Sequence, residues 1–202
     1  MYESIIEKTS PSAPYKVGEI ISFGFCDWKV LEIYQNRTLI ISNDVIEKCA
    51  YHVGRQDVTW QTCSLRKYLN GEFYNRFSNA DKMRILETKV INDKNPWFGT
   101  DGGKNTDDNI FLLSIEEVVK FFGDSGQLRG KNPNSKLFIN DQYKAKRIAK
   151  FAGMGSWWWL RSPGLRSRIA ANIFAGGAVH VSGHYVDNGF GGVRPVLYLR
   201  NP

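Results

Sequence analysis

The stretch Trp157-Trp158-Trp159-Leu160-Arg161-Ser162-Pro163-Gly164 and its counterpart Gly192-Val193-Arg194-Pro195-Val196-Leu197-Tyr198-Leu199 decide how this chain is read. Both are rich in aromatic or β-branched residues, which fit a pleated sheet. Trp157, Trp158 and Trp159 alternate across a strand, so two face one way and one the other. The reading is two strands, Trp157 to Arg161 and Val193 to Leu199. Arg161 and Arg194 are expected to be structural, hydrogen-bonding loop carbonyls or carboxylates, with Trp158 and Pro195 completing that framework. Between the two runs lie shorter strands, Ala170 to Phe174 and Ala178 to Val181. Nine of the nineteen glycines fall between Gly153 and Gly192.

Working outward, Ile20 to Phe25, Trp28 to Tyr34 and Arg37 to Ser42 read as a meander, broken at Cys26-Asp27 and turned at Gln35-Asn36. The period then changes. Leu65, Tyr68, Leu69 and Phe73 recur at three and four residues, so Ser64 to Phe73 reads as a helix capped by Ser64. Asn79 to Leu86 is a second, shorter helix. Ser114 and Glu117 form a capping box ahead of a third helix carrying Val118, Val119, Phe121 and Phe122. Asn140 to Phe151 is a fourth. Strands, then helices, then strands argue an α+β fold, with N- and C-terminal strands in a shared sheet and helices inserted between them.

A chain of 202 residues buries enough surface for one core, so residues 18–202 read as a single domain. Residues 1–17, with Ser10, Pro11, Ser12, Ala13 and Pro14, read as a flexible leader. They hold no basic-then-apolar export signal, which points to a cytoplasmic protein. No run of eighteen apolar residues is long enough to span a membrane. The net charge is +7. Residues 161–202 carry five Arg against one Asp, so an acidic partner would be favoured.

Together with Thr59-Trp60, Ser64-Leu65-Arg66-Lys67-Tyr68-Leu69-Asn70 and Ile110-Phe111-Leu112-Leu113-Ser114, the two opening runs resemble an uncharacterised domain family of bacteria and their phages. That family is similar to the C-type-lectin-like fold shared with formylglycine-generating enzymes. It also resembles the variable proteins of diversity-generating retroelements, whose C-terminal stretch is rewritten to change a binding face. The resemblance covers roughly Gly18 to Leu199, and it admits a phage or prophage particle as an alternative location.

Adenine-directed rewriting of Asn-type codons never yields Lys, Glu, Gln, Met or Trp. These five types make up 38 of residues 1–161 and none of Ser162 to Pro202. The resemblance therefore implies a display segment at 162–193. Its ligand-binding candidates are Arg166, Arg168, Phe174, His180, Ser182, His184, Tyr185, Asp187, Asn188 and Phe190. Phe174, Tyr185 and Phe190 would be the anchors, because aromatics give large contact area at low entropic cost. The expected ligand is a protein or other macromolecule.

Other chemistries are weaker. Cys26, Cys49 and Cys63 form no CxxC pair and read as reduced structural thiols. Formylglycine-generating enzymes use two late cysteines to bind copper, and none lies in this C-terminal segment. His180, His184 and Asp187 could supply a base and its orienting partner, but no flanking motif accompanies them. Asp101, Asn105, Asp107, Asp108 and Asn109 offer oxygens at the close spacing of a calcium loop, without the terminal Glu of the EF-hand. Their plainer reading is a polar turn leading to a strand at Ile110 to Leu113. Lys144, Arg147 and Lys150 form a basic stripe on the fourth helix, read as a solvated face rather than a nucleic-acid site. Lys131 to Lys136 reads as a loop. The expectation is a non-enzymatic recognition module needing no metal or cofactor, with a calcium-dependent carbohydrate binder and a formylglycine-generating-like enzyme as alternatives.

Overall fold

The computed structural model describes residues 15–130 and 137–201, so most of the expected leader and the Lys131 to Lys136 loop lie outside the described residues. In chain order the strands are β1 (Ile20–Phe23), β2 (Cys26–Ile33), β3 (Arg37–Ser42), β4 (Glu47–Lys48), β5 (Ile85–Leu86), β6 (Thr88–Val90), β7 (Thr106–Asp108) and β8 (Phe138–Ile139). They continue with β9 (Ala149–Phe151), β10 (Met154–Ser156), β11 (Trp158–Pro163), β12 (Ile169–Ile173), β13 (Val179–Tyr185), β14 (Gly192–Val193) and β15 (Val196–Arg200). Four short helices are α1 (Ser64–Tyr68), α2 (Asn79–Arg84), α3 (Ile115–Phe122) and α4 (Lys144–Arg147). The fold is α+β, mostly sheet. A five-stranded sheet runs β1-β2-β3-β15-β5 and a six-stranded sheet runs β4-β14-β11-β12-β13-β8, neither closed into a barrel.

The expected sharing of one sheet by the two ends of the chain is present. β15 pairs antiparallel with β3 through Val196↔Ile41, Tyr198↔Leu39 and Arg200↔Arg37. The run Val193 to Leu199 is not one strand, however. Gly192 and Val193 belong to the six-stranded sheet and Val196 onward to the other. Pro195 has no N–H to donate to a ladder, and between the two strands Arg194 turns inward. It donates to the carbonyls of Ser42 and Asn43 and lies 5.0 Å from the Trp158 ring.

Register explains the three tryptophans. Trp158 shares a row with Ile173, Val179 and Ile139, all core residues. Trp159, Asn172, His180 and Phe138 form the next row, on the opposite face. Trp157 packs edge-on against Trp159 at 4.7 Å, so Trp158 is the one that faces the other way.

The capping box at Ser114 and Glu117 is complete, and Ile115, Val118, Val119 and Phe122 bury the inner stripe of α3. Glu117 also receives Arg161, which bonds both carboxylate oxygens and the carbonyls of Leu112 and Ile91. One residue thus caps a helix and ties it to the six-stranded sheet.

Several boundaries differ from the expectation. The first turn lies at Gly24-Phe25, not Cys26-Asp27, because Gly24 adopts a positive φ of 60°. Helix α1 is capped by the Cys63 sulfur, which accepts from Arg66 N at 3.3 Å, while Ser64 Oγ accepts from Val53 N. After Tyr68 the helix widens into a π turn at Leu69–Phe73 and tightens at Tyr74–Arg76. The second helix stops at Arg84, since Ile85 and Leu86 add a fifth strand beside Tyr198 and Leu199. Ile110 to Leu113 is buried but makes only a single bridge, Phe111↔Val196.

The fourth helix departs most. Only Lys144–Arg147 is helical, and Ala149–Phe151 pairs with β10. Arg147 is wholly buried against Asp141, so the basic stripe does not exist as a face. Lys144 and Lys150 remain exposed.

The C-terminal glycines are mostly packing devices. At Gly183 φ is +78° and a Cβ would collide with the Ala170 carbonyl. Gly183→Ala should therefore destabilise the domain by more than about 1 kcal/mol, measured by urea denaturation, since both strain and a clash are imposed. An unchanged midpoint would show that β12 and β13 separate freely there.

Candidate functional site

The C-terminal candidates fall into two clusters. The first is a strip of rings on the six-stranded sheet. Phe174 stacks on His180 at 4.5 Å, and Phe138, from β8, lies 5.1 Å from the same imidazole. His184 sits edge-on 5.1 Å from His180 and 5.0 Å from Trp157. Positions 180 and 184 share one face of β13, opposite Asn172 and Ala170 of β12.

Only His180 is buried among the rings of the strip; Phe174, His184 and Trp157 are half-buried and Phe138 is exposed. His180 is 9% exposed and Ser182 is also buried, so neither stands outward as expected of display residues. His180 Nδ1 donates to Asn172 Oδ1 at 3.1 Å. Burial, and secondarily the neighbouring His184, push the His180 pKa down to about 4, and burial lowers that of His184 as well. Both rings are therefore neutral at pH 7. Among the described residues, no carboxylate pairs with either one.

The second cluster is exposed. Asp187 binds Arg55 through both carboxylate oxygens at 3.1 Å, and the Arg55 guanidinium lies 4.2 Å from the centre of the Tyr185 ring. Asp187 is thus held by an arginine and not by an imidazole, and the trio with His180 and His184 is not assembled. Tyr185 is 45% exposed and Phe190 75%. Asn188 Oδ1 accepts from Phe190 N at 3.0 Å, a local turn that sets the direction of the chain at Phe190. Gly191, next in sequence, packs so tightly on the Trp159 indole that no Cβ fits. Arg166 and Arg168 are exposed on the loop before β12.

Sequence reasoning missed the segment 49–58. It runs beside the C-terminal loops through Cys49 N to Gly191 O, His52 N to Val186 O and Val58 N to Ser167 O. It supplies Arg55 and the 85% exposed Val53 to this surface. No local periodicity marks it, because these three backbone bonds go to residues more than one hundred positions away. Trp157, expected only as a strand residue, and Phe138, which no local signal singles out, are walls of the histidine strip.

Several of the oxygens between Asp101 and Asn109 are engaged by protein donors. Asp108 accepts from Trp60 Nε1, Thr106 Oγ1 and Arg66 Nε, and Asn105 Oδ1 accepts from Asn92 N. Asp101 accepts from Gly103 N. Among the described residues, no group of three or more His, Cys, Asp or Glu side chains is placed to hold a metal ion. Cys26, Cys49 and Cys63 are unpaired, and burial raises all three thiol pKa values, to about 12, 11 and 12.

A family described as "Domain of unknown function (DUF6273)" matches residues 35–201. The chain belongs to that family. No curated protein and no solved structure matches it. The matched span of the DUF6273 domain begins after β1 and β2 and contains both clusters and the whole six-stranded sheet. Among its described residues, no helix is long and apolar enough to cross a membrane.

Proposed function

We propose that this DUF6273 domain is a non-enzymatic recognition module of C-type-lectin-like architecture. Its C-terminal segment, residues 162–193, would present a changeable face to a protein or other macromolecular ligand, as in retroelement-diversified variable proteins. The observation that carries the reading is the contrast along one short loop. Phe190 is 75% exposed while Gly191, Gly192 and Val193 behind it are buried. Such a loop tolerates change at its tip without loss of the core.

The surrounding chemistry suits recognition. Tyr185 and Phe190 offer rigid contact area, and the exposed Arg166 and Arg168 bias the surface toward an acidic ligand. The framework supporting them is buried: Trp158, Arg161, Arg194 and Pro195. The shared sheet of the two chain ends supports the architecture.

The double variant Tyr185→Ala/Phe190→Ala should keep its melting temperature within about 2 °C of wild type, because exposed truncations cost little. Any ligand cross-linked to the wild-type face should bind it more than about tenfold more weakly. Loss of folding in this variant would show that these side chains are core and end the reading. A near-copy of the 162–202 coding segment beside a reverse-transcriptase gene, differing only at adenines, would support the diversified form. Its absence would leave a generic binding domain.

A further inference from the structure

The dipeptide Asn-Gly occurs twice in the chain, at Asn70-Gly71 and Asn188-Gly189. It is chemically distinctive because glycine has no Cβ to shield its amide nitrogen from the asparagine side chain before it. The fold treats the two copies in opposite ways.

Asn70 is locked. It lies in the π turn that follows α1, and both ends of its amide are engaged. Nδ2 donates to the Arg66 and Ile110 carbonyls, and Oδ1 accepts from Asn109 N and Ile110 N. These four hydrogen bonds must break before the side chain can turn onto its own main chain.

Asn188 is held by far less. It sits in the turn after β13, where Gly189 is exposed and Phe190 is 75% exposed. Oδ1 accepts from Phe190 N at 3.0 Å, an Asx turn that folds the side chain back over the Gly189 peptide. Among the described residues, neither Asn188 Nδ2 nor Gly189 N makes a hydrogen bond. Gly189 also has open space around it: a Cβ there would meet nothing within 4 Å, whereas one on Gly191 would collide with the Trp159 indole. Neither packing nor a positive φ requires glycine at 189.

We propose that Asn188 is a self-modification site, at which the chain converts its own asparagine to aspartate and isoaspartate with water as co-reactant. Gly189 N gives its proton to solvent base and attacks Asn188 Cγ. The N–Cγ bond forms, the Cγ–Nδ2 bond breaks, and Nδ2 takes a proton from water and leaves as ammonia. Water then opens the cyclic imide. Attack at the side-chain carbonyl gives aspartate, and attack at the main-chain carbonyl gives isoaspartate, whose backbone runs through Cγ. Either product adds a carboxylate next to Asp187, and isoaspartate lengthens the main chain by one methylene. Gly191 is packed against the Trp159 indole, so the added length falls on the exposed tip at Phe190. The conversion needs no ligand, so it can be tested apart from the recognition role proposed above.

The full chain should be incubated in mildly alkaline buffer, and both asparagines followed by peptide mapping with fragmentation that separates isoaspartate from aspartate. Asn188 should convert at least about tenfold faster than Asn70, whose hydrogen bonds must open first. The rate should rise with pH, and both products should form. In urea the difference between the two sites should vanish. Gly189→Val, whose side chain enters open space, should keep its melting temperature and lose the conversion. Isoaspartate in the wild-type chain reports the imide independently of that variant. An Asn188 that stays intact while unfolded Asn70 converts, equal rates at the two sites in the folded protein, aspartate without isoaspartate, or conversion that survives Gly189→Val would overturn the proposal.

Discussion

Arg147→Met is expected to cost about 3–5 kcal/mol of folding free energy, lowering Tm by roughly 10 °C. Arg147 and Asp141 are both essentially sealed from water, and their closest nitrogen and oxygen lie 2.5 Å apart. Arg147 Nε also donates to the Gly177 carbonyl, while Asp141 accepts from Ser125 Oγ and Tyr143 N. Methionine fills most of the space but leaves a buried carboxylate facing no cation. Desolvation, not the loss of a contact, sets the size of the effect. Asp141→Asn should do comparable harm for the converse reason. The double change Arg147→Met/Asp141→Leu should cost less than the sum of the two single changes, because no charge is then stranded. Urea denaturation of the four proteins measures the coupling. A cost below about 1 kcal/mol for Arg147→Met would show that water reaches the pair.

Stability should fall by at most on the order of 2 kcal/mol as pH drops from about 6.5 to about 4, through His180, solvent screening of a partly buried ring being allowed for. Burial and the adjacent His184 lower the folded-state pKa from 6.5 to about 4. The unfolded chain therefore takes up a proton in that window while the folded one does not. The contribution is complete above 6.5, is lost as pH falls, and is flat below 4. His184, also lowered by burial, acts in the same direction. Asp141 acts in a different window. Burial raises its pKa, but the bonds from Arg147 and Ser125 outweigh this, so the net position is below the ordinary 3.8. Its stabilisation persists until pH falls beneath that value. His180→Phe should flatten the slope between pH 6.5 and 4 and leave the acid limb intact. A slope unchanged in that variant would place the titration elsewhere.

Both effects arise at residues whose surroundings were not legible in the chain. Lys144, Arg147 and Lys150 are spaced like one helix face, and spacing alone cannot show that a strand begins at Ala149 or that Asp141 waits inside. His180 and Ser182 alternate with Val179 and Val181, a pattern that puts the polar pair on the outward face of a strand. Phe174 and Phe138 cover His180, and Phe138 comes from a two-residue strand more than forty positions earlier. Asp187 pairs with Arg55, 132 residues away. By contrast, the features that depend on near neighbours were readable. The Ser114–Glu117 box, the alternation of the three tryptophans and the β2–β3 turn each rest on contacts within a few residues.

The α+β class, the shared sheet of the two chain ends and the division between framework and glycine-rich C-terminal segment can all be read from the order of residues. Pleat alternation, capping and turn chemistry are local, and strong apolar runs leave few ways to bury them. Which residues face water depends instead on long-range packing. It sent Val193 and Val196 to different sheets, turned Arg147 inward and laid segment 49–58 along the C-terminal loops. Burial is set by whichever distant element covers a position, and no periodicity within a segment carries that information.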